Sequence, residues 1–373
     1  MATSQAQVDT AGLDRRQFLK ASALVGASPM ATLALASSEP AFLSAFRDRG
    51  GKYGVAAIGA DGDILFTEAL PARGHDTAIS PDSKTAITFA RRPGRFALVM
   101  DLTRRSPTRA ITPHLGRHFF GHGFFSPDGA LLYTSENAYD EEHGVIGVYD
   151  VGADYRRIGE FKSHGIGPHE ALLTRDGTSI IVANGGILTH PDLPRQKLNI
   201  PTMKPSIVRI DRETGDLLDK VALPPGLNQL SLRHMAEDSQ GNIWFGGQWQ
   251  GARTDQVDLV GFYDGAGGIQ LVHLPDVVTR SFNHYVGAVK ANKPGTLVAF
   301  TSPRGGLAIT VDPRTRQVIN EIRVPDICGA APSGGTIAFS TGSGDLLLPQ
   351  RAVAHVQWDN HMTGRAGREI WPG

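Results

Sequence analysis

The chain has 373 residues, with 37 basic and 37 acidic side chains, a 40% hydrophobic share and a 20% charged share. That composition supports a sizeable core and excludes disorder as the default, and the charge balance argues against nucleic acid as a partner, because phosphate binding needs an excess of basic charge. A single cysteine, Cys328, excludes an intramolecular disulfide, and 44 glycines with 23 prolines suit a chain of many tight turns.

In chain order, residues 1–36 come first as a targeting segment. Arg15-Arg16 precede Phe18-Leu19-Lys20, a weakly apolar run follows, and Ala34-Leu35-Ala36 forms a small-residue cleavage pattern. The segment resembles a twin-arginine export signal. The resemblance implies a periplasmic protein whose mature part spans residues 37–373. No later run is long and apolar enough to span a membrane.

Beyond residue 50 no helical period stands out. Short runs of Val, Ile, Leu, Phe and Tyr alternate with Gly, Pro and Asp turns, which predicts an all-β fold. The runs repeat. Each unit opens on a histidine and a short strand, turns through a stretch such as Ser126-Pro127-Asp128-Gly129, and ends its third strand on an aspartate: Asp101, Asp150, Asp211, Asp264 and Asp312. His122 follows His75 by 47 residues, and His169 follows His122 by 47. His234 then comes after 65, which marks a unit with an insertion. Four strands per unit of this length is the period of a propeller blade.

Residues 52–71 supply strands without an opening pair, so the C-terminus must complete that blade and remove the exposed sheet edges. Asn360-His361 echoes Asn283-His284 and opens a seventh blade; in the rival register Asp359 ends a third strand of the sixth. Closure favours the first reading: a seven-bladed β-propeller, closed by N- and C-terminal strands, over residues 37–373.

In a propeller the first strand of each blade lines the central channel. The repeat therefore brings His75, His122, His169, His234 and His361 to one channel mouth, with Cys328 at the sixth position. Three insertions, residues 136–144, 185–205 and 247–258, fall in loops of that face, where binding sites are commonly built. Clustered imidazoles repel one another's protons and stay neutral at pH 7, and neutral imidazoles suit copper, zinc, iron or nickel rather than magnesium or calcium. The five histidines are thus candidate metal ligands. Glu136, Glu170 and Asp76 are carboxylates placed to orient them or to bind metal directly. Arg91, Arg92, Arg117 and His118 add positive charge for an anionic ligand. Two other readings stay open: histidines that bond strands of their own blade, and a site for an organic ligand. Cys328 reads as a small core residue. No nucleophile elbow and no phosphate loop is present.

Several stretches carry a family resemblance: Ala90–Gly94 (ARRPG), Gly116–Gly123 (GRHFFGHG), Gly144–Asp150 (GVIGVYD), Ile166–Glu170 (IGPHE), Val182–Asp192 (VANGGILTHPD), Ser231–Met235 (SLRHM), Ser302–Gly306 (SPRGG), Cys328–Ala331 (CGAA) and Trp358–His361 (WDNH). By these the chain resembles the domain of unknown function family 1513. The resemblance covers nearly all of the mature chain. It implies a twin-arginine-exported, seven-bladed propeller of the WD40/YVTN type, encoded near other periplasmic iron-handling proteins, which would then be its partners. Iron uptake or redox handling follows as the expected role, with iron, copper or a haem-type ligand as the cofactor. His284 and Met235 depart from the family pattern, so His284 stays outside the core set. The alternatives are a non-enzymatic interaction scaffold and a metal-dependent hydrolase or oxidoreductase.

Overall fold

The computed structural model describes residues 39–365 apart from 194, 195, 267 and 350; the expected export signal lies outside the described residues. The alternating apolar runs become strands in seven four-stranded sheets, antiparallel throughout.

Three strands, β1 (Phe42–Asp48), β2 (Tyr53–Ile58) and β3 (Ile64–Leu70), come before the first complete blade. Blade one is β4 (Gly74–Ile79), β5 (Thr85–Ala90), β6 (Ala97–Asp101) and β7 (Ser106–Ile111). Blade two is β8 (Arg117–Phe125), β9 (Leu131–Ala138), β10 (His143–Asp150) and β11 (Arg156–Lys162). Blade three is β12 (Pro168–Leu173), β13 (Ser179–Asn184), β14 (Ser206–Asp211) and β15 (Leu217–Ala222). Blade four is β16 (Leu230–Glu237), β17 (Ile243–Trp249), β18 (Val260–Tyr263) and β19 (Ile269–Leu271). A short helix, α1 (Asp276–Ser281), leads into blade five: β20 (Ala288–Ala291), β21 (Val298–Ser302), β22 (Leu307–Asp312) and β23 (Gln317–Arg323). Blade six is β24 (Ile327–Ser333), β25 (Thr336–Thr341), β26 (Asp345–Leu347) and β27 (Arg351–Val353). Finally β28 (Val356–Gly364) pairs with β1, so blade seven runs β28-β1-β2-β3 and Asp359 belongs to its inner strand.

The first strands touch one another in a closed cycle, from β4 through β8, β12, β16, β20, β24 and β28 back to β4. The core is divided accordingly. Seven apolar layers each join two neighbouring blades: Phe89 and Phe119 between blades one and two, Trp244 and Phe300 between four and five, Leu43 and Leu98 between seven and one. Middle strands such as β13 are buried throughout, whereas outermost strands such as β11 hold only exposed and half-buried residues.

The repeated polar residues make turns. Ser126 Oγ donates to Asp128 and accepts from the Leu131 N–H, and Thr174 with Asp176 repeats the arrangement in blade three. The aspartates that end third strands accept backbone N–H groups of the next turn, as Asp101 does from Thr103 and Arg104 at 2.8 Å each. These are Asx turns with a hairpin-forming role.

The histidines sit differently from the sequence expectation. His122, His234 and His361 lie inside their strands, not at the opening residue. A β-bulge lies at each histidine. Pairing skips from Gly74 to Thr77, from Phe119 to Gly123, from Pro168 to Glu170, from Leu232 to His234, and across β28 opposite Ser44 to Phe46. A bulge bends the strand and re-aims a side chain.

Candidate functional site: a buried histidine chamber

The five bulges aim five imidazoles into the channel. His361 packs edge-on to His75 and against His234, with ring centroids 4.4 and 4.5 Å apart. His122 lies 4.9 Å from His75, 5.0 Å from His361, and 5.3 Å from both His169 and His234. None of the five is more than 7% exposed, so the group is a chamber within the channel and not a rim at its mouth.

Carboxylates hold these rings across blade boundaries. His122 Nδ1–H donates to Asp76 Oδ2 of blade one at 2.9 Å. His234 Nδ1–H donates to Glu170 Oε2 of blade three at 3.3 Å, and His75 Nδ1–H to Asp359 Oδ1 of blade seven at 3.1 Å. The carboxylates are themselves engaged. Asp76 accepts from the Thr77 N–H and the Thr363 hydroxyl, Glu170 from the Met235 N–H, and Asp359 pairs with Arg73. Blade five contributes no histidine to the chamber, but its Lys290 Nζ lies 3.5 Å from Glu170 Oε1. Among the described residues none of the five rings bonds a backbone group of its own blade, which speaks against the five as within-blade struts.

This orientation fixes the tautomers. With Nδ1–H committed to a carboxylate, His75, His122 and His234 each keep their lone pair on Nε2. His122 Nε2 and both ring nitrogens of His361 are buried without a hydrogen-bond partner. His169 differs: Arg233 Nη1 donates to its Nδ1 at 3.1 Å, so its Nε2 carries the proton and donates to His234 Nε2 at 3.3 Å. Ligand atoms of His122, His234 and His361 lie within 4.8 Å of one another, as do those of His75, His122 and His169.

The chamber's electrostatics favour neutral rings. Burial, then neighbouring charge, holds His75, His169 and His361 well below the usual imidazole range, and His234 falls to about 4 even beside Glu170. Burial outranks the mutual repulsion expected from sequence. The carboxylates stay ionised: Glu170, although burial opposes it, is drawn down to about 2 by Lys290 and His234, and Asp76 is likewise depressed. Neutral imidazoles with ionised carboxylates behind them form a donor set suited to a borderline-soft metal ion.

The other candidates are dispersed. Glu136 is fully buried in β9 and accepts from Thr134, Tyr149 and Arg157, at 2.6, 2.7 and 2.9 Å, so it neither orients a chamber histidine nor is free for metal. Arg117 pairs with Glu160 and Glu141 and lines a cleft bordered by β7, Tyr139 and Tyr149. His118 is satisfied on both nitrogens, by Phe119 O and the Asn137 amide, and burial lowers it to about 4. Cys328 takes the sixth position in register, but its thiol turns to the carbonyls of Ser340 and Asp359, and burial raises it to about 12. His284 bonds Asp255 O at 2.8 Å outside the chamber. Arg91 and Arg92 do stay close: Arg91 is an electrostatic neighbour of His75, and Arg92 of Arg91. Sequence reasoning missed Asp359, Lys290, Arg233 and Arg73. Only the residues just before or after the repeated histidines, Arg233 among them, carried any signal.

The histidine chamber lies within a region that a family model matches: "Protein of unknown function (DUF1513)", over residues 68–365. Among solved structures, Kuenenia stuttgartiensis hydrazine synthase is similar, with a TM-score of 0.59 at 13% identity over 88% of this chain and 99% of that chain, a likeness of fold alone. No curated protein matches the sequence. Because the matched span takes in most of the molecule, from β3 to the end of β28, the chain belongs to the DUF1513 family.

Proposed function

We propose that this protein binds a first-row transition metal, iron or copper, alone or as a complex, through Nε2 of His75 and His122 and the imidazole of His361, with His234 Nε2 joining them when the ion displaces the hydrogen bond it accepts from His169. One observation carries the reading: His122 and His361 bury imidazole nitrogens that have no protein partner, and ligand atoms of the two rings lie within 4.8 Å of each other. A buried polar atom left unpaired costs about 1–3 kcal/mol, and a metal ion would remove that cost. An all-imidazole set does not suit magnesium or calcium, which take oxygen ligands. His169 stands apart, because Arg233 holds it in the tautomer whose Nε2 is a donor.

Elemental analysis of the protein purified from its native compartment tests this. Wild type should retain about one equivalent of metal, and His122→Ala/His361→Ala should retain at least about tenfold less. Equal, negligible metal in both proteins would sink the reading. The same reading places the protein in the periplasm, serving iron uptake or redox traffic, and it draws here on the Arg15-Arg16 segment and the family resemblance. Replacing both arginines by lysine should leave the protein in the cytoplasmic fraction; unchanged fractionation would remove twin-arginine export.

A further inference from the structure

Five cations, Arg233, Arg92, Arg91, Lys197 and Arg304, form a chain of electrostatic neighbours that reaches the chamber through Arg233 and Arg91. Arg233, 6% exposed, bonds His169 Nδ1, and among the described residues its buried Nε has no hydrogen-bond partner. Arg92 and Arg91 are its repulsive neighbours. Lys197, from the 185–205 loop, lies within electrostatic reach of Arg233, Arg92 and Arg304. Arg304 stacks over the Tyr285 ring at 4.3 Å, and the Tyr285 hydroxyl accepts from Asn360 Nδ2, beside His361. Tyr285 also neighbours Arg92 and Arg233. Among the described residues, none of Arg91, Arg92, Arg233, Lys197 and Arg304 makes a salt bridge, whereas the inner carboxylates Asp359 and Glu170 are already taken by Arg73 and Lys290.

We propose that this chain of cations is a binding site for a small, multiply charged oxyanion, seated between Arg233, Arg92 and Arg304. A buried guanidinium beside other guanidiniums is costly unless an anion compensates it. Guanidinium forks match carboxylate and phosphate oxygens in pairs, which suits a polycarboxylate or phosphate. The cations also oppose approach of a bare metal cation and favour an anionic complex.

The site does not depend on a metal in the chamber, so it is tested on chelator-treated protein by titration calorimetry, with citrate and inorganic phosphate as separate arms. At least one should bind, and raising ionic strength should weaken it. Arg233→Gln and Arg304→Gln should each reduce affinity about tenfold or more, while Lys84→Gln, at a distant exposed turn, should not. Arg304 is exposed, so its variant answers even if Arg233→Gln fails to fold. Binding of citrate alone assigns a polycarboxylate, and of phosphate alone a phosphate. No binding of either anion, or variants that bind as wild type does, would overturn the proposal. The metal analysis can fail without touching this result.

Discussion

Glu170 shows how one side chain serves several neighbours. It orients His234, takes the Met235 N–H and faces Lys290, and that company keeps it ionised although it is buried. His75, His169, His234 and His361 bind protons less tightly when folded than when unfolded. Between about pH 4, where His234 titrates, and about 6.5, the ordinary imidazole value, the unfolded chain therefore holds more protons and stability rises with pH. Asp76 and Glu170 are depressed too, but their contribution fades only below the ordinary carboxylate range of about 4. Tm should thus fall as pH drops from about 6.5 to about 4, before the carboxylates protonate, and fall less steeply in His234→Gln/His361→Gln. A Tm that stays flat across this window by scanning calorimetry would contradict the buried neutral rings. The histidines themselves were legible because His75, His122 and His169 recur at a blade's length, His234 follows after one insertion, and closure of the ring picks out His361. Asp359 and Lys290 were not, since neither belongs to the repeat and each meets its chamber partner across a blade boundary.

The bulge is the element that turns a repeat into a site. In β8 it is built around Gly121, whose φ of +105° is a conformation L side chains rarely adopt. A β-carbon there would also meet His75 Cδ2 at 2.6 Å, so the glycine of one blade makes room for the imidazole of the previous one. Gly121→Ala should cost about 1–3 kcal/mol in urea unfolding and weaken metal retention at His75 and His122 together. Wild-type stability with wild-type metal content would show the bulge to be incidental. Sequence alone did not reveal the bulges. A strict two-residue alternation cannot register one extra residue, and the Gly-His pair read equally well as a simple strand opening.

At the scale of the molecule, closure rests on β28 lying against β1. Trp358, 4% exposed, packs edge-on to Phe46 and donates its indole N–H to Gly344 O at 3.2 Å, tying blades six and seven together. Trp358→Ala should destabilise by about 3–5 kcal/mol in chemical denaturation. Because each apolar layer is shared by two blades, unfolding should remain a single transition; a separate early step confined to blade seven would show the closure to be independent of the ring. The amino-acid sequence by itself determined the blade, the count of seven and the five histidines, because strand period, turn chemistry and repeat length are local properties written along the chain. Only the tertiary structure decided which groups meet: it took Glu136, Arg117 and His118 away to partners of their own, set His169 apart through Arg233, and brought Asp359 and Lys290 to the histidines and their carboxylates. Those outcomes depend on contacts between blades, and radial packing joins residues whose separation in the chain carries no sign of it.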